Sequence, residues 1–315
     1  MYPGSASAGM FPDQANYLSY VFLNILRALG KAHSRPKHFE VILRNSRLQD
    51  HAFNLPKYIE PIVQPVLTNL HTLFLDLTSE FPPVQVNMND VPFECRSYLL
   101  KRFLSRVPQL EHLRLNFQFD TNQETNNVLS WLSQSASVIL SNNPSVTSLL
   151  ENPQPVNFTN LRQLDIGMVT IELDILLAIL QKYRATLRTI SLRKVSLLQA
   201  KPVNSGGKLN VWGKFFARLS KLNLKLSAID LSYLSQEQIG KQDIQSITFK
   251  DSSDPHSKRW AGKDMQSGLR DFTNLMIISE PNLNSNSNSS ENDSDGKCLN
   301  LPYSTCNELV EDLHG

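Results

Sequence analysis

With 315 residues, 41% of them apolar, the chain can build a sizeable core in one large domain or two ordinary ones. A formal charge of +2 and a pI near 8.3 exclude the strong overall field that draws a nucleic acid or an anionic membrane. Three cysteines, Cys95, Cys298 and Cys306, are too few and too scattered for a disulfide framework or a paired zinc site, so a reducing compartment, cytoplasmic or nuclear, fits best.

In chain order, residues 1–16 ("MYPGSASAGMFPDQAN") are small, polar and Pro/Gly-containing, and are expected to be frayed or disordered. The apolar stretch "YLSYVFLNILRALG" follows without a basic segment before it and is too short to span a bilayer. Its residues Leu18, Val21, Phe22, Ile25, Leu26 and Leu29 repeat at helical spacing, which predicts an amphipathic helix seeking a core. "HFEVILRN" (38–45) then reads as a strand, making a first helix-strand unit.

The next strand, "LHTLFLDL" (70–77), introduces a frame, LxxLxL, that recurs. It returns as "LEHLRLNF" (110–117), "LRQLDIGM" (161–168) and "LRTISLRK" (187–194), with weaker copies "LSAIDLSY" (226–233) and "IQSITFKD" (244–251). The frame starts lie 40, 51, 26, 39 and 18 residues apart, which is not a strict period. The stretches between are helical. Leu99, Leu100, Phe103 and Leu104 share a face before Pro108; Val128, Trp131, Leu132, Ser135 and Ile139 do so in 127–140. "IELDILLAILQKY" (171–183) and "NVWGKFFARL" (210–219) repeat the pattern, and Met265, Leu269, Phe272 and Met276 in 259–276 form a closing helix stripe. Loops are expected at 141–157 and 198–209, and a disordered acidic tail with a short terminal helix at 279–315.

In an extended segment side chains alternate, so frame positions 4 and 6 enter the core while 3, 5 and 7 face outward. Each helix has one apolar stripe that only stacked neighbours can cover. A doubly wound nucleotide-binding domain would need a glycine-rich turn, and the chain has 12 glycines but no GxGxxG or GxxxxGK[ST]. The predicted fold is therefore α/β: an irregular leucine-rich-repeat-like solenoid over 17–278, with a parallel sheet on one face and helices on the other.

The seven histidines are dispersed, and no HxxxH, HExxH or GxSxG occurs. No metal, cofactor or catalytic residue is expected, and the chain is read as a non-enzyme. The outward positions are more informative. Phe74, Asp76, His112, Arg114, Asn116, Asp165, Ser191, Arg193 and Asp230 would form a ribbon of mixed charge across adjacent strands about 4.8 Å apart. Mixed signs favour a protein partner over a nucleic acid or a membrane. A monomer that binds one through this ribbon is the function expected.

Five stretches, "HFEVILRNSRL", "YLLKRFLSRVPQLEHLRLNFQF", "LRQLDIGMVTIELDILLAILQKYRATLRTISLRKVSLL", "NVWGKFFARLSKLNLKLS" and "SITFKDSSDPHSKRWAGKDMQSGL", resemble fungal F-box/leucine-rich-repeat proteins. The resemblance covers most of 17–276 and is confined to the repeat region; no F-box is found before the first helix. It implies a substrate-binding array, which in F-box proteins is coupled to a cullin-RING ubiquitin ligase through a linker subunit. A substrate-recognition subunit of such a ligase is thus the alternative expectation.

Overall fold

The computed structural model describes residues 12–43, 47–77, 97–117, 123–135, 153–199, 210–238, 244–250, 252–262 and 265–278. The expectations for residues 1–11, the three cysteines, Ile139, most of both insertion loops and the tail from 279 lie outside them.

In chain order the elements are α1 (Pro12–Lys31), β1 (His38–Val41), a 3-10 turn (Asp50–Phe53), α2 (Glu60–Leu67), β2 (Thr72–Leu77), α3 (Tyr98–Leu104), β3 (His112–Phe117) and α4 (Gln123–Ser133). They continue with β4 (Gln163–Glu172), α5 (Leu173–Lys182), β5 (Thr189–Gln199), α6 (Val211–Leu219), β6 (Ala228–Ser232), β7 (Ser235–Gln238), β8 (Gln245–Phe249), β9 (Ser257–Ala261), α7 (Met265–Leu275) and β10 (Met276–Ile278). The first six strands pair in parallel in the order in which the chain makes them.

The leucine frame explains this order. Its first residue sits two places before each strand, and Leu70, Leu110, Leu161 and Leu187 are fully buried there, with Leu226 nearly so. Positions 4 and 6 are buried in every copy from Leu73 and Leu75 to Ile229 and Leu231. They share one core cluster with the helix stripes, from Phe22 and Leu26 on α1 to Trp212, Phe215 and Phe216 on α6 and Phe272 on α7. Each such leucine contributes about 1.5–3 kcal/mol through removal from water. Ile25, placed on the buried face of α1 by its spacing, is 46% exposed.

A backbone motif also repeats. The carbonyl at frame position 2 accepts two N–H groups, those of positions 2 and 3 of the next copy. Lys37 serves His71 (2.7 Å) and Thr72 (2.9 Å), His71 serves Glu111 (2.8 Å) and His112 (2.9 Å), and Glu111 serves Arg162 (2.7 Å) and Gln163 (2.9 Å). Arg162 and Arg188 do the same for the two strands that follow. Lys37 occupies position 2 of a copy that starts at Pro36 and uses Phe39 and Val41 in place of leucines.

Three aligned kinks shape the middle of the sheet. Met168, Lys194 and Tyr233 have φ of 58°, 53° and 53°. They fall at the same frame position, so the chain turns in concert: β4 and β5 continue past the kink, whereas β6 and β7 are two strands separated by it. The left-handed conformation costs a non-glycine residue about 1–2 kcal/mol, offset by pairing on both sides of the break.

The frame at 244–251 behaves differently. β8 runs antiparallel to β7 and to β10, and its leading Ile244 is 62% exposed. Residues 239–244 alone join β7 to β8, and a parallel crossover needs a dozen or more. Arg259–Ala261, read as the start of the closing helix, belong to β9, which pairs antiparallel with β6. The predicted stripe Met265, Leu269, Phe272 and Met276 is nonetheless buried.

Two other features were not foreseen. Lys101 on α3 is fully buried, its Nζ donating to Asn127 Oδ1 at 2.5 Å. Asp50 of the 3-10 turn accepts the backbone N–H groups of Leu100 (2.8 Å) and Leu99 (3.3 Å). It thus caps α3 across 50 residues, where the local candidate, Ser97, has φ 55° and no capping bond.

Candidate functional site on the strand face

Strand register sets the outward side chains in three rows. Thr72, His112, Gln163, Thr189 and Ala228 form the first; Phe74, Arg114, Asp165, Ser191 and Asp230 the second; Asp76, Asn116, Gly167, Arg193 and Ser232 the third. All nine residues expected to bind a partner therefore lie on one face, and eight of them occupy two adjacent rows. They fall into two groups that differ in how far they are already engaged.

The β2–β4 side is internally satisfied. Phe74, expected as an exposed aromatic, is half-buried between the rings of His38 (5.2 Å) and His112 (4.5 Å), with the Arg114 guanidinium 4.2 Å from its centroid. His112 Nε2 lies 2.8 Å from Asp165 Oδ2, and Arg114 Nε donates to the same oxygen at 3.1 Å. Gln163 donates to Asp165 Oδ1 at 3.1 Å. Asp165 is 5% exposed. Burial pushes its carboxyl up, but the hydrogen bond and charge of His112, the Gln163 amide and the Arg114 guanidinium outweigh this and hold it below the usual carboxylate value. Asp76, also buried, accepts from Asn116 Nδ2 at 3.0 Å and from the Leu43 N–H at 3.1 Å. Asp76 and Asp165 act here as hubs that tie strands together.

Towards β6 the face opens into a cavity of about 350 Å³. Arg114, Asn116, Asp165, Ser191, Arg193 and Asp230 line it, six of the nine expected residues. Ile166 and Ser232 also line it, and Tyr233, Asp254 and Ser257 complete the wall. Asp254 and Ser257 were missed because the segment from 252 was not placed beside β6, and pairing of Ser257 with Ser232 brings it there; Tyr233 was missed because it stands eighth in its frame, past the outward positions 3, 5 and 7.

Arg193 and Asp230 differ from the hubs. They stand on neighbouring strands in adjacent rows, yet neither has a hydrogen bond or ion pair among the described residues. Arg193 is exposed and Asp230 half-buried. The arrangement offers a donor fork and a carboxylate to an incoming polar group, with Ser191 and Ser232 hydroxyls between them. Among the described residues no three His, Cys, Asp or Glu side chains gather as metal ligands, and no helix is long and apolar enough to cross a membrane.

Neither a family model nor a curated protein matches the chain.

Proposed function

We propose that the protein is a binding module of leucine-rich-repeat-like, solenoid construction that engages a protein partner through its outward strand face and performs no catalysis. The observation that carries this reading is the pair Arg193 and Asp230, opposite charges with no hydrogen bond or ion pair among the described residues, in a cavity where Arg114 and Asp165 are joined to each other. A partner presenting both an acidic and a basic group would satisfy them together; a polyanion would satisfy Arg193 and be repelled by Asp230.

The test is an affinity capture from fungal extract with the full chain as bait, beside an Arg193→Glu/Asp230→Lys charge-reversed form. Proteins retained by the first and lost by the second support the strand-face reading. An identical retained set sinks it. Retention of a cullin-RING linker subunit by both forms would shift the reading to a ligase subunit that docks elsewhere on its surface.

A further inference from the structure

On the other side of Tyr233 lies a second cavity, of about 530 Å³, formed where β4, β5, β7 and β8 run on past the kinks. Its residues contributed nothing to the ribbon described above. Tyr233 stacks on His256 with ring centroids 5.6 Å apart and planes 9° from parallel, and both rings line it.

Register sets four hydroxyl side chains in one row along this cavity. Thr170 pairs with Ser196, Ser196 with Ser235, and Ser235 with Ser246. All four line the cavity. Ser196 is 3% exposed, and its Oγ has no hydrogen-bond partner among the described residues. A buried hydroxyl without a partner costs about 1–3 kcal/mol, so its presence beside a cavity of this volume points to a ligand that completes it.

Charges of opposite sign flank the row. Lys194 stands on the kink two residues before Ser196, and forms no ion pair among the described residues. Glu237 stands two residues beyond Ser235, and its Oε1 is buried without a hydrogen-bond partner among the described residues. Glu237 pairs with Leu198, four residues along β5 from Lys194, so the two backbones are about 13 Å apart along the strand. An extended tripeptide spans about 10 Å, and the reach of a lysine and a glutamate side chain is long enough to cover the difference.

We propose that this cavity binds a short zwitterionic peptide, its ammonium on Glu237, its carboxylate on Lys194 and its amide groups on the hydroxyl row. Hydroxyls donate and accept, which suits alternating N–H and C=O groups. Leu234 and Ile244 offer apolar contact to small side chains. A neutral sugar would satisfy the hydroxyls but leave both charges unpaired.

Titration calorimetry of the full chain with tri-alanine, N-acetyl-tri-alanine, tri-alanine amide and maltose tests this. Tri-alanine should bind saturably at one site, and capping either end should weaken it about tenfold, the loss of one charge-assisted hydrogen bond. The acetyl penalty should fall to about twofold or less in Glu237→Gln, and the amide penalty likewise in Lys194→Asn, since asparagine tolerates the left-handed backbone there. Thermal melts report whether each variant is folded; should one unfold, the free and capped peptides on the unaltered chain decide alone. The absence of saturable tri-alanine binding, equal affinity for the capped peptides, or maltose binding as tightly would overturn the proposal.

Discussion

A β-carbon on Gly167 would come within 2.5 Å of Asn116 Oδ1, so the hydrogen bond from Asn116 to Asp76 depends on a missing side chain one strand away. The three residues share a row, and the absence of a side chain at its centre lets Asn116 lie flat towards Asp76. Gly167→Val is expected to push Asn116 aside and leave buried Asp76 short of one donor, at a cost of about 1–3 kcal/mol. Urea unfolding of Gly167→Val and of the double form with Asn116→Ala checks this. The two changes should be strongly non-additive, because both remove the same bond.

Asp165 makes stability depend on pH in a defined direction. Its folded-state carboxyl titrates below the unfolded value of 3.8, so the unfolded chain binds more protons in that window. The stabilisation is therefore complete above that value and is lost as the pH falls through the folded one. Asp165→Asn should cost about 1–3 kcal/mol at pH 7, because His112 and Arg114 both lose their charged acceptor. The gap between the two forms should hold down to about pH 5 and narrow as the pH falls below the unfolded value of 3.8 in chemical denaturation. A gap independent of pH would show that the carboxylate charge is not what ties β3 to β4.

The sheet was legible in the sequence wherever packing alone decides it. Leucines at positions 1, 4 and 6 report burial directly, so five frames and their outward rows follow from spacing, including the rows that bring Arg114, Arg193 and Asp230 to one cavity. The copy at Pro36 was read as a strand but not as a frame, because proline, phenylalanine and valine replace the leucines while the Lys37 carbonyl keeps its role. The copy at 244–251 was misread for the opposite reason: pattern without room, since the short link after β7 forces an antiparallel return. Charge pairing was not legible at all. Asp76 and Asp165 look like solvent-facing carboxylates in one dimension, and only register shows that neighbouring strands supply their donors. Asp254 and Ser257 escaped notice because β9 carries no leucine spacing that would mark it as a strand, and Tyr233 because it falls past the outward positions of its own frame.

Lys182, in the last turn of α5, closes a helix end that the sequence also leaves unannounced. Its Nζ donates to the carbonyls of Leu132 (2.9 Å), Gln134 (2.6 Å) and Val156 (2.7 Å), so all three ammonium protons are used. It joins the end of α4 and the segment before β4 to α5. Burial lowers its pKa to about 8, yet the group stays largely protonated at neutral pH. Lys182→Met keeps the stem and removes the donors, and should cost about 1–3 kcal/mol by leaving three carbonyls unserved. Amide hydrogen exchange should then speed up in residues 128–133 with little change in β2 and β3. Uniform acceleration would instead mean that the whole array opens as one unit.

Helix α1 owes its position to one close approach. A β-carbon on Gly30 would meet the Ile62 carbonyl oxygen of α2 inside van der Waals distance. Helix propensity alone favours Gly30→Ala by up to about 1 kcal/mol. The clash is with backbone and cannot be relieved by rotating a side chain, so α1 must shift and loosen Phe22 and Leu26 from the core. Overpacking of this kind typically costs about 1–3 kcal/mol, which outweighs the propensity gain. Gly30→Ala should therefore lower the melting temperature, whereas Ala28→Gly, on an exposed position of the same helix, should lower it only by the propensity difference. If Gly30→Ala melts higher than the unaltered chain, α1 is free to slide on α2, and the glycine sets no limit on how the two helices meet.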